Sequence, residues 1–199
     1  MSDLQTKIDG FKQIVANNCK SEDFEYREWF VDDHLVIVER IAMELCDKHP
    51  EADRDAVRAL VWFHDFGKPI NEKNEYEVTK EKGIEAMRTV GLPEDFVQKV
   101  LGLWLRMEMK TEIDISREAI ETQIVSTADG CSHFVGKFYS SYFRDDSKEN
   151  LRSIVGRIRD KIDKDWERKI VLPEAKLAFR QRYEKTKEIV GEYPERFLL

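Results

Sequence analysis

The sequence predicts an all-α protein, a globular helical bundle, on three observations. Apolar residues recur at three- and four-residue spacing along most of the chain, the period of one helix face. No strand-like alternation persists, and no internal repeat or low-complexity tract interrupts the pattern. The 9 Gly and 5 Pro are fewer than a turn-rich β protein needs, whereas 37% charged residues suit helices with solvated outer faces.

The elements follow in order. Leu4, Ile8, Phe11 and Val15 mark a short first helix. A longer one is expected after Ser21 as N-cap, with the stripe Phe30, Val31, Val38, Ile41, Leu45 and a stop at His49-Pro50. A third helix covers about 53–65, with Val57, Leu60 and Val61 inward, and Gly67 and Pro69 break it. The polar stretch from Asn71, including Glu72, Lys73 and Glu75, reads as a solvated loop leading into a helix from about Glu75 to Val90, closed by Gly91. Pro93 opens a fifth helix that turns Phe96, Val97, Val100, Leu103 and Trp104 inward. A sixth starts near Ser116 and carries Ile120, Ile124, Ala128 and Val135. The aromatic segment Phe138, Tyr139, Tyr142, Phe143 reads as packing, with base stacking as the functional alternative. A seventh helix takes Leu151, Val155, Ile158 and Ile162, Trp166 reads as packing, and Pro173 starts or kinks a last helix toward Val190.

At 199 residues with 41% hydrophobic content, the chain is long enough for one domain with a real core. We expect a single helical domain over 1–199: a core of about 22–140, and C-terminal helices of about 147–190 packed on it. A net charge of −7 argues against a general nucleic-acid binder. No apolar run approaches the ~18 residues of a membrane span. The first ten residues, MSDLQTKIDG, lack the basic and apolar regions of a signal peptide. Three Cys (Cys19, Cys46, Cys131) without a CxxC make a disulfide framework unexpected, and the natural setting is a reducing cytoplasm.

Ionisable residues fall where the pattern wants hydrophobes. His34 shares a face with Val31, Val38, Ile41 and Leu45; His64 shares one with Val57, Leu60 and Val61. Asp129 lies one turn after Val125, and Asp65 sits in the apolar run VWFHDFG. A buried carboxylate without a counter-charge is costly. A shared metal ion would answer this economically, because imidazole and carboxylate are a standard mixed ligand set. Each histidine taken alone is more often a hydrogen-bonded core residue.

His34 in DDHLVIVERIA, His64 and Asp65 in ALVWFHDFGK, and Asp129 in IVSTADG together resemble the HD-domain metal-dependent phosphohydrolases. The resemblance spans roughly Asp32 to His133, in the family's order and with its helical placement. It implies an HD-domain-like helical fold whose metal site lies in the 22–140 core. Two-metal members carry further histidines between the His-Asp pair and the last Asp. Here Thr79 precedes Gly83, the next helix ends LWLRMEMK, and no His lies between His64 and His133. The implied ligand set is therefore His34, His64, Asp65 and Asp129, around one divalent ion (Mn, Fe, Co, Ni, Zn or Mg). The di-iron oxygenase branch needs the fuller set. The cyclic-di-GMP branch needs a downstream Gly-Tyr-Pro that is absent.

The resemblance implies that Asp65 both binds the ion and orients the attacking water. Lys68, three residues on, could reach a substrate phosphate or remain a loop lysine. Arg106 stands where two-metal relatives keep a histidine and could supply the missing cationic charge to the substrate; a helix-end arginine is the bland alternative. His133, one turn beyond Asp129, could be a general acid or touch substrate; packing is its alternative. The expected function is hydrolysis of a phosphoester of a small metabolite, nucleotides included, by a metal-activated water. The competing expectation is a non-catalytic, metal-stabilised helical binding module.

Overall fold

The computed structural model describes residues 2–109, 111–141 and 150–194, and among them the regular structure is helical throughout. Helix α1 (Asp3–Asn18) opens on a capping box: Ser2 Oγ accepts from Gln5 N–H, and Gln5 Oε1 accepts from Ser2 N–H, both at 3.2 Å. It buries Ile8, Phe11 and Val15, the predicted stripe.

The second helix starts about ten residues later than the sequence suggests. Ser21 does not cap it. The Ser21 carbonyl accepts from Phe24 N–H, and further single turns follow at Phe24–Arg27 and Tyr26–Trp29. Aromatic packing stabilises these turns: Phe24 meets Tyr26 and Phe30 edge to face, at 5.6 and 5.1 Å. A π-helical turn, Val31–Leu35, then runs into α2 (Val36–Cys46).

Helix α3 (Arg54–Phe63) is capped by Asp53, whose Oδ1 accepts from Asp55 and Ala56 N–H. Seven of its ten residues are buried, because α1, α2, α6 (Glu94–Glu108) and α7 (Ile120–Ser132) all pack against it. Its one buried-side cation is neutralised: Arg58 Nε lies 3.1 Å from Glu39 Oε1, and its guanidinium 3.0 Å from Asp9. Glu39 also accepts from Lys12 and Trp62. Burial pushes Glu39 up, but these donors outweigh it and hold the carboxyl below its usual range.

The stretch read as one helix from Glu75 is α4 (Glu75–Val78), a π turn (Thr79–Gly83) and α5 (Ile84–Thr89), closed by Gly91 at φ 76°. Before it, Glu72–Asn74 forms a 3₁₀ turn. Gly83 is where Phe63 of α3 packs: a Cβ there would stand 2.7 Å from the ring.

Helix α7 is central as well, and nearly every residue from Glu121 to Ser132 is buried, polar ones included. Each polar group finds a partner. Thr122 donates to Leu103 O; Ser126 and Thr127 donate to Lys169 O; Thr127 Oγ1 accepts from Val171 N–H. The helix ends at Ser132, so Val135 lies beyond it. The short helix α8 is Phe138–Ser141, while Tyr142 and Phe143 lie outside the described residues.

Helix α9 (Leu151–Lys164) is capped by Asn150 and buries Ile154, Val155, Ile158 and Ile162. Leu151, predicted inward, is 58% exposed: at the first position of the helix it lies a turn below the stripe that begins at Ile154. A third π turn, Asp165–Lys169, returns the chain to α7. Helix α10 (Pro173–Val190) begins at Pro173, without a kink, and packs on α9 and α7. One hydrophobic cluster runs from Ile8 to Ala175. No helix among the described residues is long and apolar enough to cross a membrane.

Candidate metal centre

Three helical ends converge. The π turn before α2 delivers His34, the C-terminus of α3 delivers His64 and Asp65, and the last turn of α7 delivers Asp129 with His133 just after it. A π turn widens the helix by one residue and recurs at functional sites. His34 and Lys169 both sit in such turns.

The donor atoms are close. His34 Nε2 lies 3.4 Å from Asp65 Oδ2 and 3.9 Å from Asp129 Oδ1. His64 Nε2 lies 3.5 Å from Asp65 Oδ2 and 3.9 Å from Asp129 Oδ1. Such separations are what two donors, each about 2.1 Å from one ion, would show. His64 Nδ1 is 2.6 Å from Val61 O, which can only accept, so Nδ1 carries the hydrogen. The free Nε2 is buried with no hydrogen-bond partner among the described residues. An unpartnered ring nitrogen beside two carboxylates fits a cation, and two sets of donors (His34, His64 and Asp65; His34, Asp129 and His133) lie close enough to hold a divalent metal ion. Burial also pushes His34 down to about 4, keeping it the neutral imidazole a metal requires.

The predicted four are therefore together, and Lys68 and His133 join them. Lys68 Nζ is 3.1 Å from Asp65 Oδ2. His133 Nε2 is 3.3 Å from Asp129 Oδ1, and its ring stacks on Phe138 at 4.0 Å. Arg106 is not brought to the site. It makes a bidentate pair with Glu118, both bonds 2.6 Å, while the next two residues, Met107 and Glu108, face the cavity instead. Glu72 and Lys73 are exposed as expected, but Glu75 is half-buried against Asp65 rather than solvated. Burial, then the Asp65 charge, push it up to about 8, so it is protonated at neutral pH.

Sequence reasoning missed Lys169 and Asp165. Lys169 Nζ is 2.7 Å from Asp129 Oδ2 and 3.5 Å from Asp165 Oδ1. Asp165 Oδ2 also accepts from Tyr139 O–H at 2.9 Å and sits 3.1 Å from Lys161. Burial alone would push both Asp129 and Asp165 up. Lys169 is foremost among the groups that reverse this and hold them well below the usual carboxylate range. Gly130 permits the approach: a Cβ there would stand 2.9 Å from Lys169 Cβ and Ile170. The missed signal is an offset: Asp165 stands at +7 from Ile158 and +3 from Ile162, on the buried face of its helix.

These groups open on a cavity of about 370 Å³, lined also by Lys68, Lys73, Lys161, Tyr76 and Trp104. Between Asp65 and Lys68, Gly67 N–H donates to Thr79 Oγ1 at 2.8 Å. An added Cβ would collide with Glu75 O and stand 2.8 Å from Thr79 Oγ1. Gly67→Ala is expected to lose ~1–3 kcal/mol of stability by overpacking and to displace the Asp65–Lys68 turn. Thermal melting together with metal titration checks both effects.

A family model described as HD domain matches residues 31–133, slightly over half of the chain. Neither a curated protein nor a solved structure matches it.

Proposed function

The chain belongs to the HD domain family, whose superfamily is one of metal-dependent phosphohydrolases, and on that premise we propose that it hydrolyses a phosphoester of a small metabolite. The observation that carries the reading is the partnerless Nε2 of His64, buried beside His34, Asp65 and Asp129. His34, His64, Asp65 and Asp129 would hold one divalent ion. When bound, such an ion supplies Lewis-acid chemistry: it lowers the pKa of a water from about 15.7 toward ~7 and offsets phosphoryl charge.

The chain's own residues supply the rest. Asp65 orients the attacking water from the mouth of α3. Lys68 holds Asp65 in place and turns a cationic head toward the cavity, where Lys73, Lys161 and Lys169 complete a wall for phosphate oxygens. Glu75, pushed up to about 8 by burial and the Asp65 charge, lines the cavity and would serve as a proton donor to a departing oxygen. The cavity's size suits a small phosphorylated molecule, nucleotides among the candidates. Three buried, unpaired cysteines fit a reducing, cytoplasmic setting.

The test is phosphate release from a panel of phosphomonoesters and nucleotides, with protein loaded in turn with Mn, Fe, Co, Ni, Zn and Mg. Turnover that chelation removes and metal restores is expected. A protein that holds its ion tightly yet turns over no phosphoester would instead be a metal-stabilised helical binding module.

A further inference from the structure

The donor atoms of His34, Asp129 and His133 form a group close enough to hold a metal ion, and we infer that His133 is a third histidine ligand of the metal site. The inference rests on the metal site proposed above. It replaces the general-acid role that the spacing of His133 from Asp129 suggests.

The hydrogen-bond partners determine the tautomers. Ser132 Oγ donates to Asp129 O at 2.7 Å, so its one hydrogen is used, and it accepts from His34 Nδ1–H at 3.1 Å. Val61 O accepts from His64 Nδ1–H. Asp165 Oδ2 accepts from His133 Nδ1–H at 2.8 Å. Asp165 is ionised, held so by Lys169 and Lys161, and an ionised carboxylate has no hydrogen to give. Each ring therefore places a hydrogen on Nδ1, and Nε2 is the position left to ligate.

The Nε2 of His133 faces Asp129 Oδ1 at 3.3 Å, a separation at which the two atoms can share a cation. The donor atoms of His34, Asp129 and His133 lie within 4.8 Å of one another, as do those of His34, His64 and Asp65. His34 belongs to both triads, so the two sets adjoin. Metal-ligating histidines as a rule give their other N–H to a carboxylate, carbonyl or similar acceptor, which fixes the tautomer and raises basicity. The Asp165–His133 pair has that form. Tyr139 O–H and two lysines hold Asp165 in turn, and Phe138 stacks on the ring face and sets its plane. Asp165 is thus a positioning residue for a ligand. The competing arrangement is a doubly protonated His133 bonded to both carboxylates, which binds no cation.

The experiment strips the full chain with a chelator and titrates it with Zn²⁺ against a chromophoric competitor. X-ray absorption of the zinc-loaded wild type then counts coordinated imidazoles. Three are expected in the wild type and two in His133→Ala. Affinity should fall in His133→Ala by at least the ~10–100-fold that losing an outer partner costs, and in Asp165→Asn by about that much. Circular dichroism confirms that the variants are folded. If His133→Ala does not fold, the wild-type count decides alone. Two imidazoles in the wild type, or unchanged affinity and count in folded His133→Ala, overturn this inference only. A wild type that takes up no zinc overturns the metal site itself, and this inference with it.

Discussion

Asp65→Ala is expected to abolish metal-dependent phosphoester hydrolysis while leaving the helices folded. Asp65 lies beyond the last turn of α3, and its backbone, not its side chain, closes the turn: Lys68 N–H donates to Asp65 O at 3.1 Å. The carboxylate instead faces His34, His64 and Lys68, at 3.4, 3.5 and 3.1 Å. Removing it takes a negative charge from the ion and an orienting group from the water. Positioned acid–base groups contribute roughly 10²–10⁴-fold, and weaker metal binding adds to that. The cation left behind is not stranded. The Asp65 charge helps keep Glu75 protonated, so Glu75 can ionise in the variant and take Lys68 as partner. Phosphate release, metal content and thermal melting measured on one preparation check this. Full metal-dependent turnover in the variant would remove Asp65 from the mechanism. Loss of the helical signal would make it a folding residue.

The parts of this site that were legible in the sequence share one property: they break a local pattern. His34, His64 and Asp129 stand out because a helical period puts them among hydrophobes, and that period depends on neighbours three to seven residues away. The central helices were legible for the same reason, since Ala56 to Phe63 is apolar nearly all round. What escaped depends on contacts far apart in sequence. Lys169 reaches Asp129 across 40 residues, and nothing near Lys169 marks it as different from other helix-end lysines. Ser21 has the chemistry of an N-cap, but the aromatic packing of Phe24, Tyr26 and Phe30 wins locally and keeps those residues in turns. Arg106 has the right position along the chain and the wrong azimuth: Trp104, Met107 and Glu108 turn toward the cavity, which leaves it on the outer side beside Glu118.

Asp129→Asn is expected to remove metal binding and also to destabilise the metal-free protein. This second effect distinguishes it from Asp65→Ala. The Asp129 side chain is 6% exposed and that of Lys169 16%, so their 2.7 Å contact is a largely desolvated ion pair. Breaking such a pair from one side leaves a buried charge uncompensated, at ~3–5 kcal/mol when the loss is complete. Lys169 retains Asp165 at 3.5 Å, so the expected loss lies at or below the low end of that range. Saturating metal should widen the gap, because an ion at 100 times its dissociation constant stabilises the wild type by about 2.7 kcal/mol and the variant far less. The pH dependence has a definite sign. Asp129 is held well below its unfolded pKa of about 3.9. Its contribution is therefore fully present above about pH 4 and is lost as pH falls from there through the lowered native value. Urea unfolding of the chelated proteins should show the full wild-type advantage at pH 7 and a smaller one at pH 3. An advantage that is the same at both pH values would mean that packing by the Asp129 side chain, and not its charge on Lys169, stabilises this end of α7.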